Sequence, residues 1–271
     1  MKLAYYIKKR ELKDDERVFR PLRTLAENGF EVYDVSACGG ISGGTDALLS
    51  FGGDGTFLTA AQLAAAAGIP IVGMNFGRLG FLSENTPEDA VKALVSGEYV
   101  VEDRELLMVG IDGPAPARWH PFALNEMTVH RMGAAMLGVD VAVNGNALPA
   151  YWADGLLVST SSGSTAYSLS VGGPICTPDT KVLIIAPIAP HNLNVRPLVV
   201  PDGAALSIIP HSREDSVVLT LDNRNYVIPA GTRLDVCVAP LRLKRLRIGK
   251  SSFIEALRTR LHWGDDLRNG V

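Results

Sequence analysis

Gly52-Gly53-Asp54-Gly55-Thr56 sets one carboxylate and one hydroxyl among three glycines. Ahead of it, Ala47 to Phe51 is a short apolar run, which predicts a buried strand. Behind it, Phe57 to Ala67 is rich in Ala and Leu and holds no Gly or Pro, which predicts a helix. A glycine turn that opens a helix offers backbone N–H groups and the positive end of the helix dipole to phosphate. Neither familiar phosphate fingerprint is complete. The dinucleotide pattern needs a glycine where Leu58 stands, and no Lys-Ser or Lys-Thr pair closes a P-loop. A carboxylate repels phosphate, so Asp54 suits a base, or a partner for a cation or a hydroxyl. The plain alternative is a tight turn in which Asp54 caps the helix.

A second stretch, Asp154 to Tyr167, is dense in hydroxyls: Ser159, Thr160, Ser161, Ser162, Ser164 and Thr165. It runs on through Ser168-Leu169-Ser170 to Gly172-Gly173-Pro174. Small hydroxyl and glycine residues bring short-range hydrogen-bonding groups with little bulk, which suits an adenine or ribose held against backbone. A Ser/Thr-rich surface loop is the plain alternative, and it leaves Tyr167 and the Gly-Gly-Pro turn unexplained. No HExxH, GxSxG or paired Cys/His spacing occurs, and the five histidines are scattered.

Elements that position these stretches follow from the patterning. Strands are expected at Leu3 to Ile7, Phe30 to Val35, Ala47 to Phe51 and Ile69 to Met74. Helices are expected at Asp14 to Asn28, after Asp54, and at Pro87 to Val95, with Pro21 a candidate kink. Alternation of that kind predicts a parallel sheet covered on both faces, with ligands at the carboxyl ends of its strands. The Asp54 turn and the loop Asn75 to Gly80, which carries Phe76, both follow strands.

The texture changes near Gly97. Short alternating runs separated by turn signals continue to Ile248 and predict an all-β domain. Leu241 to Ile248 alternates apolar and basic residues and reads as an edge strand with one wet face. Ser252 with Glu255 predicts a capping box for a helix from Phe253 to about Leu261, returning to the first domain. The expected architecture is an α/β domain over 1–97 with 249–271 returning to it, and an all-β domain over 98–248.

The chain has 271 residues, 47% hydrophobic and 20% charged, with a net charge of −3. That balance suits a globular protein with a large core and argues against a nucleic-acid partner. Three widely spaced cysteines fit a reduced, cytoplasmic protein. No run is long enough to be a signal peptide or to span a bilayer.

Together these stretches resemble the NAD kinases. Gly52-Gly53-Asp54-Gly55-Thr56 is similar to the motif that family shares with diacylglycerol and sphingosine kinases and, more distantly, phosphofructokinases. Asn125-Glu126 resembles its second motif, Asp154 to Pro174 its third, and Pro187 to Asn192 with Arg196-Pro197 a further segment. The resemblance covers about Leu48 to Arg224.

It implies transfer of the ATP γ-phosphoryl group to the adenosine-ribose 2′-hydroxyl of NAD, giving NADP. Asp54 would be the general base. Gly52, Gly53, Gly55 and Thr56 would admit the diphosphate, with Mg²⁺ arriving on ATP and no metal ligand from the protein. Asn125 and Glu126 would hold the ribose and adenine. Thr165, Ala166, Tyr167 and Ser170 would line the pocket with Ser162 beside them. Phe76, Ser168, Leu169, Ala189 and Arg224 complete the implied binding positions. Asp154 would reach the NAD of a neighbouring subunit, so the protein would work as a homodimer or homotetramer. Trp152 stands where many relatives carry Arg or Gly, near the nicotinamide half. Asp222-Asn223-Arg224 replaces the frequent Asp-Gly-Arg, and Asn tolerates the left-handed conformation. A diacylglycerol-type lipid kinase and a non-catalytic nucleotide-binding regulatory module are the alternatives.

Overall fold

Ala47–Phe51 is a strand in which every residue is buried, because helices cover both of its faces. The computed structural model describes residues 1–77, 80–249 and 252–264. The chain divides into two compact units, one made of Met1–Asp103 with the stretch from Leu243 onward, the other of Arg104–Arg242.

In the first unit a six-stranded sheet runs Glu31–Asp34, Lys2–Ile7, Ala47–Phe51, Ile71–Met74, Leu243–Ile248, Tyr99–Arg104. Its first four strands are parallel, with Ile7 opposite Phe51 and Phe51 opposite Met74. Leu3, Ile7, Leu49, Phe51, Val72 and Met74 form a core with Val18, Leu22 and Leu25 of the helix Glu16–Glu27 and with Ala90, Val91 and Leu94 of the helix Pro87–Ser96. The Ala-rich helix Asp54–Ala67 packs on Ala47–Phe51 and Ile71–Met74. Its small side chains let it lie close. Pro21 sits inside Glu16–Glu27 without ending it, its ring buried in the core. Thr86 caps Pro87–Ser96 by accepting the Asp89 N–H, and Ser252 caps Phe253–Leu261 by accepting the Glu255 N–H.

Leu243–Ile248 is not an edge strand. It lies inside the first sheet, between Ile71–Met74 and Tyr99–Arg104. Of its basic residues Lys244 is exposed, but Arg245 is buried and Arg247 only partly exposed. Arg245 is 4% exposed, in contact with Glu84, and Arg247 pairs with Glu102 at 2.5 Å. An opposite charge supplied from elsewhere in the chain makes burial of Arg245 tolerable. Consequently 98–103 and 243–248 belong with the α/β unit rather than with the β unit.

The second unit is a β-sandwich of two antiparallel sheets. One runs Leu198–Pro201, Val182–Ile188, Gly155–Thr160, Glu126–Arg131, Ser216–Leu221, Arg224–Pro229. The other centres on Leu137–Val143, Leu206–His211, Leu234–Val238 and Leu107–Ile111. Met127, Val129, Leu156, Val158, Leu183 and Ile185 of the first sheet share a core with Val139, Val141, Leu206, Ile208, Leu234 and Val236 of the second. The alternation of buried and less buried residues along Ser216–Leu221 follows from the period-2 pleat. Gly155–Thr160 is buried throughout. Leu157 on its outer face packs with Ala186, Ile188 and Val171.

Candidate active site

In the first unit, the turn after Ala47–Phe51 opens the helix Asp54–Ala67, with Gly53 at the cap position and no side chain capping it. Asp54 therefore does not cap its own helix. Its Oδ1 accepts the backbone N–H groups of Leu82 (3.1 Å) and Ser83 (2.8 Å), and its Oδ2 that of Phe81 (2.9 Å). A carboxylate has about four acceptor sites. Among the described residues three are filled, and the open one is on Oδ2.

The glycines divide into two kinds. Gly52 has φ +146°, and a Cβ there would lie 2.5 Å from Thr56 Oγ1. A Cβ on Gly80 would lie 2.0 Å from Asp54 Oδ1. The fold itself requires both glycines. A Cβ on Gly53 would have 3.9 Å of clearance, and one on Gly55 would meet no described atom outside its own helix within 4 Å. Packing explains neither. Their bareness keeps the space before the helix open, as an approaching phosphate requires. Phe76 stacks on Phe51 at 6.0 Å, with the Arg17 guanidinium 5.3 Å from its ring centroid.

In the second unit, Asn125 and Glu126 begin the strand Glu126–Arg131 and are both buried. Asp222 holds them from below. Its carboxylate accepts the N–H groups of Leu124 (2.8 Å), Asn125 (2.8 Å) and Glu126 (3.3 Å). Asp222 itself carries the positive φ of its turn (+51°), so Asn223 is not the left-handed residue there. Burial, and then the nearby Asp222, push the Glu126 carboxyl up to about 8, against a hydrogen bond from the Tyr167 backbone. Asn125 Oδ1 and Glu126 Oε2 are buried without a hydrogen-bond partner among the described residues.

The hydroxyl-rich stretch is partly structural. Ser159 Oγ donates to Asn125 O (3.1 Å) and Thr160 Oγ1 to Leu124 O (2.7 Å). Ser161 Oγ donates to Pro178 O, and Ser164 Oγ accepts the Cys176 N–H. These groups fasten the loop. Ser162 and Thr165, in the short 3₁₀ turn Ser162–Thr165, are partly exposed, as are Ala166 and Leu169, while Ser170 is exposed. Ser168 is fully buried, its Oγ against Gly173. Tyr167 is 37% exposed and stacks on His130 with centroids 6.0 Å apart. Asp154 pairs with Arg131 at 2.7 Å. Trp152 is 44% exposed and lies across Gly138 on the neighbouring strand. Ala189 has a left-handed backbone (φ +47°) before Pro190, an uncommon conformation for a residue with a Cβ. Arg224 donates to the carbonyls of His120 (2.9 Å) and Phe122, bracing the chain that leads to Asn125.

Residues 31–99 match the family model of the ATP-NAD kinase N-terminal domain, and 124–248 that of the ATP-NAD kinase C-terminal domain. The NAD kinase of Flavobacterium johnsoniae is 38% identical over 266 residues, covering 96% of this chain and 85% of the relative. The chain belongs to the NAD kinase family. The NAD kinase of Porphyromonas gingivalis strain ATCC 33277 is 42% identical over 228 residues, covering 82% of this chain and 78% of that one. Among solved structures, an NAD kinase from Archaeoglobus fulgidus in complex with ATP has a TM-score of 0.74 at 26% identity, covering 91% and 94% of the two chains. Yeast NADH kinase complexed with NADH has a TM-score of 0.84 at 20% identity, covering 99% and 89%, and shows the shared fold.

Within this NAD kinase fold, the sequence reading picked out Asp54, Asn125, Glu126 and the Ser162–Tyr167 turn but missed their supports. Asp222 was noted only as part of Asp222-Asn223-Arg224, not as the group that holds Asn125 and Glu126, and nothing local marks Arg131. The Asp154 carboxylate was legible; its arginine partner was not. Among the described residues no group of three or more His, Cys, Asp or Glu side chains gathers to hold a metal ion. No described helix is long and apolar enough to cross a membrane.

Proposed function

We infer that this protein transfers the γ-phosphoryl group of ATP to the adenosine-ribose 2′-hydroxyl of NAD, yielding NADP. Membership of the NAD kinase family carries the reading, and the Asp54 turn gives it a chemistry. Phosphoryl transfer needs positioning and charge neutralisation more than covalent help. Asp54 is held by three backbone N–H groups with an acceptor site left on Oδ2, which suits a base that takes the hydroxyl proton. Gly53 and Gly55 leave room for the donor's phosphates. Mg²⁺ bound to those phosphates would neutralise their charge. Asn125 and Glu126 offer buried polar atoms to the ribose and adenine, and Tyr167 offers an exposed ring face.

Asp154 is the residue assigned to the NAD of a neighbouring subunit. Arg131 engages its Oδ1, which orients the other oxygen outward from the pair. The same reading has the protein acting in the cytoplasm as a homodimer or homotetramer. The test is direct. Purified protein incubated with ATP, Mg²⁺ and NAD should form NADP, and absence of NADP under those conditions would refute the reading.

A further inference from the structure

Asp54 is held by the backbone of 81–83, and the residue after that run, Glu84, is tied to two arginines. Arg245 of the strand Leu243–Ile248 contacts Glu84 Oε1, and Arg260 of the helix Phe253–Leu261 lies 3.8 Å from Oε2. Both arginine side chains and the glutamate are largely buried, at 5%, 14% and 9% exposure. The Arg260 guanidinium also sits 5.4 Å from the centroid of the Phe81 ring, and Phe81 packs against Phe253 at the start of the same helix. The other end of the loop is fastened to the sheet, since Asn85 Nδ2 donates to Gly73 O at 3.1 Å.

One arginine would balance Glu84. The second, Arg260, also reaches the loop at Phe81, the residue whose N–H is donated to Asp54 Oδ2. Asp54 and Glu84 both act on the Arg260 guanidinium, opposing the burial that lowers its pKa, while Arg245 and Glu255 act more weakly. Arg260 Nη1 is buried without a hydrogen-bond partner among the described residues. An arginine with an unused buried donor is costly unless its charge has a use. Arg245 alone ties the loop to the sheet, so anchoring does not by itself explain Arg260.

We propose that Arg260 is a positioning residue for the phosphoryl-transfer step, pinning the Phe81–Glu84 loop so that its three N–H groups hold Asp54 in its reactive orientation. The inference rests on the reading of Asp54 as the base. It makes the C-terminal helix part of the catalytic apparatus without contact to substrate. A displaced base slows the chemical step and leaves ground-state binding alone, so the effect falls on kcat.

The experiment measures kcat and KM for NAD and ATP in the parent, R260M, R260K and D54N, below the melting temperature of each. R260M should lose about 10²-fold in kcat, as expected for a base displaced by an ångström, with both KM values within about threefold of the parent. R260K keeps the charge and loses the planar contact with Phe81, so its kcat should fall between the two. A parent-like kcat in R260M overturns the proposal, and so does a loss confined to KM. Should R260M fail to fold, F81L carries the test, because it removes the ring beside the guanidinium and no charge. A kcat lowered at least about fivefold at unchanged KM supports positioning, and an unchanged kcat overturns it. D54N separates the two layers. Normal turnover in D54N would refute Asp54 as the base, whereas a crippled D54N beside a normal R260M would refute only the role of Arg260.

Discussion

Asp222 accepts the backbone N–H of Glu126 at 3.3 Å while its charge helps push the Glu126 side-chain carboxyl up to about 8. One carboxylate thus orders the strand start and raises the proton affinity of its neighbour. In the folded protein Glu126 keeps a proton that the unfolded chain releases near 4.5. Between those values the folded state binds more protons, so this group's contribution to stability falls as pH rises. E126Q cannot titrate. The stability of E126Q relative to the parent should therefore increase from about pH 5 to about pH 8, with a slope of at most about 1.4 kcal/mol per pH unit. Thermal melts of both proteins across that range check it. A constant difference would mean that Glu126 is not held protonated.

Asp54 makes the clearest kinetic prediction. D54N keeps size and can still accept the Leu82 and Ser83 N–H groups through its amide oxygen, but its NH2 cannot accept the Phe81 N–H or take a proton. Turnover should drop by roughly 10²–10⁴-fold while NAD still binds. Isothermal titration with NAD beside steady-state kinetics resolves the two effects.

The glycines of the turn should separate by role. Gly52→Ala places a Cβ 2.5 Å from Thr56 Oγ1 at φ +146° and should destabilise the fold by about 1–3 kcal/mol. Gly55→Ala meets no described atom outside its own helix within 4 Å and lies within the helix Asp54–Ala67. It should leave stability unchanged or raise it by about 0.5–1 kcal/mol. If ATP phosphates occupy that space, Gly55→Ala should nevertheless lower kcat/KM for ATP at least about tenfold, the equivalent of about 1.4 kcal/mol. Denaturant melts and ATP kinetics on both variants distinguish the two outcomes.

Subunit exchange tests the reach of Asp154. D54N and Asp154→Ala should each be weak alone. Co-assembled, some sites would combine an intact Asp54 from one chain with an intact Asp154 from the other, and activity should partly return. The absence of recovery in a mixture shown to exchange subunits would put both residues in one chain's site.

What the sequence determined by itself was local. The apolar run Ala47–Phe51, the glycine turn and the Ala-rich stretch after it specify a strand, a turn and a helix through short-range sterics and propensity, and the structure has Ala47–Phe51 and Asp54–Ala67. The capping signal at Ser252 likewise marked the start of Phe253–Leu261. The hydroxyls from Ser159 to Thr165 were visible as a cluster. Which of them fasten backbone and which stay partly open depended on carbonyls at 124, 125 and 178. Tertiary structure alone decided that Asp54 binds the N–H groups of 81–83, that Asp222 holds 124–126, and that Leu243–Ile248 lies inside a sheet. The physical reason is shared. Alternating basic and apolar residues indicate a wet edge only while no counter-charge is available, and a carboxylate is read as a cap only while no distant N–H competes for it. Glu84, Glu102 and the 81–83 backbone are brought in by the chain's path, which periodicity does not encode.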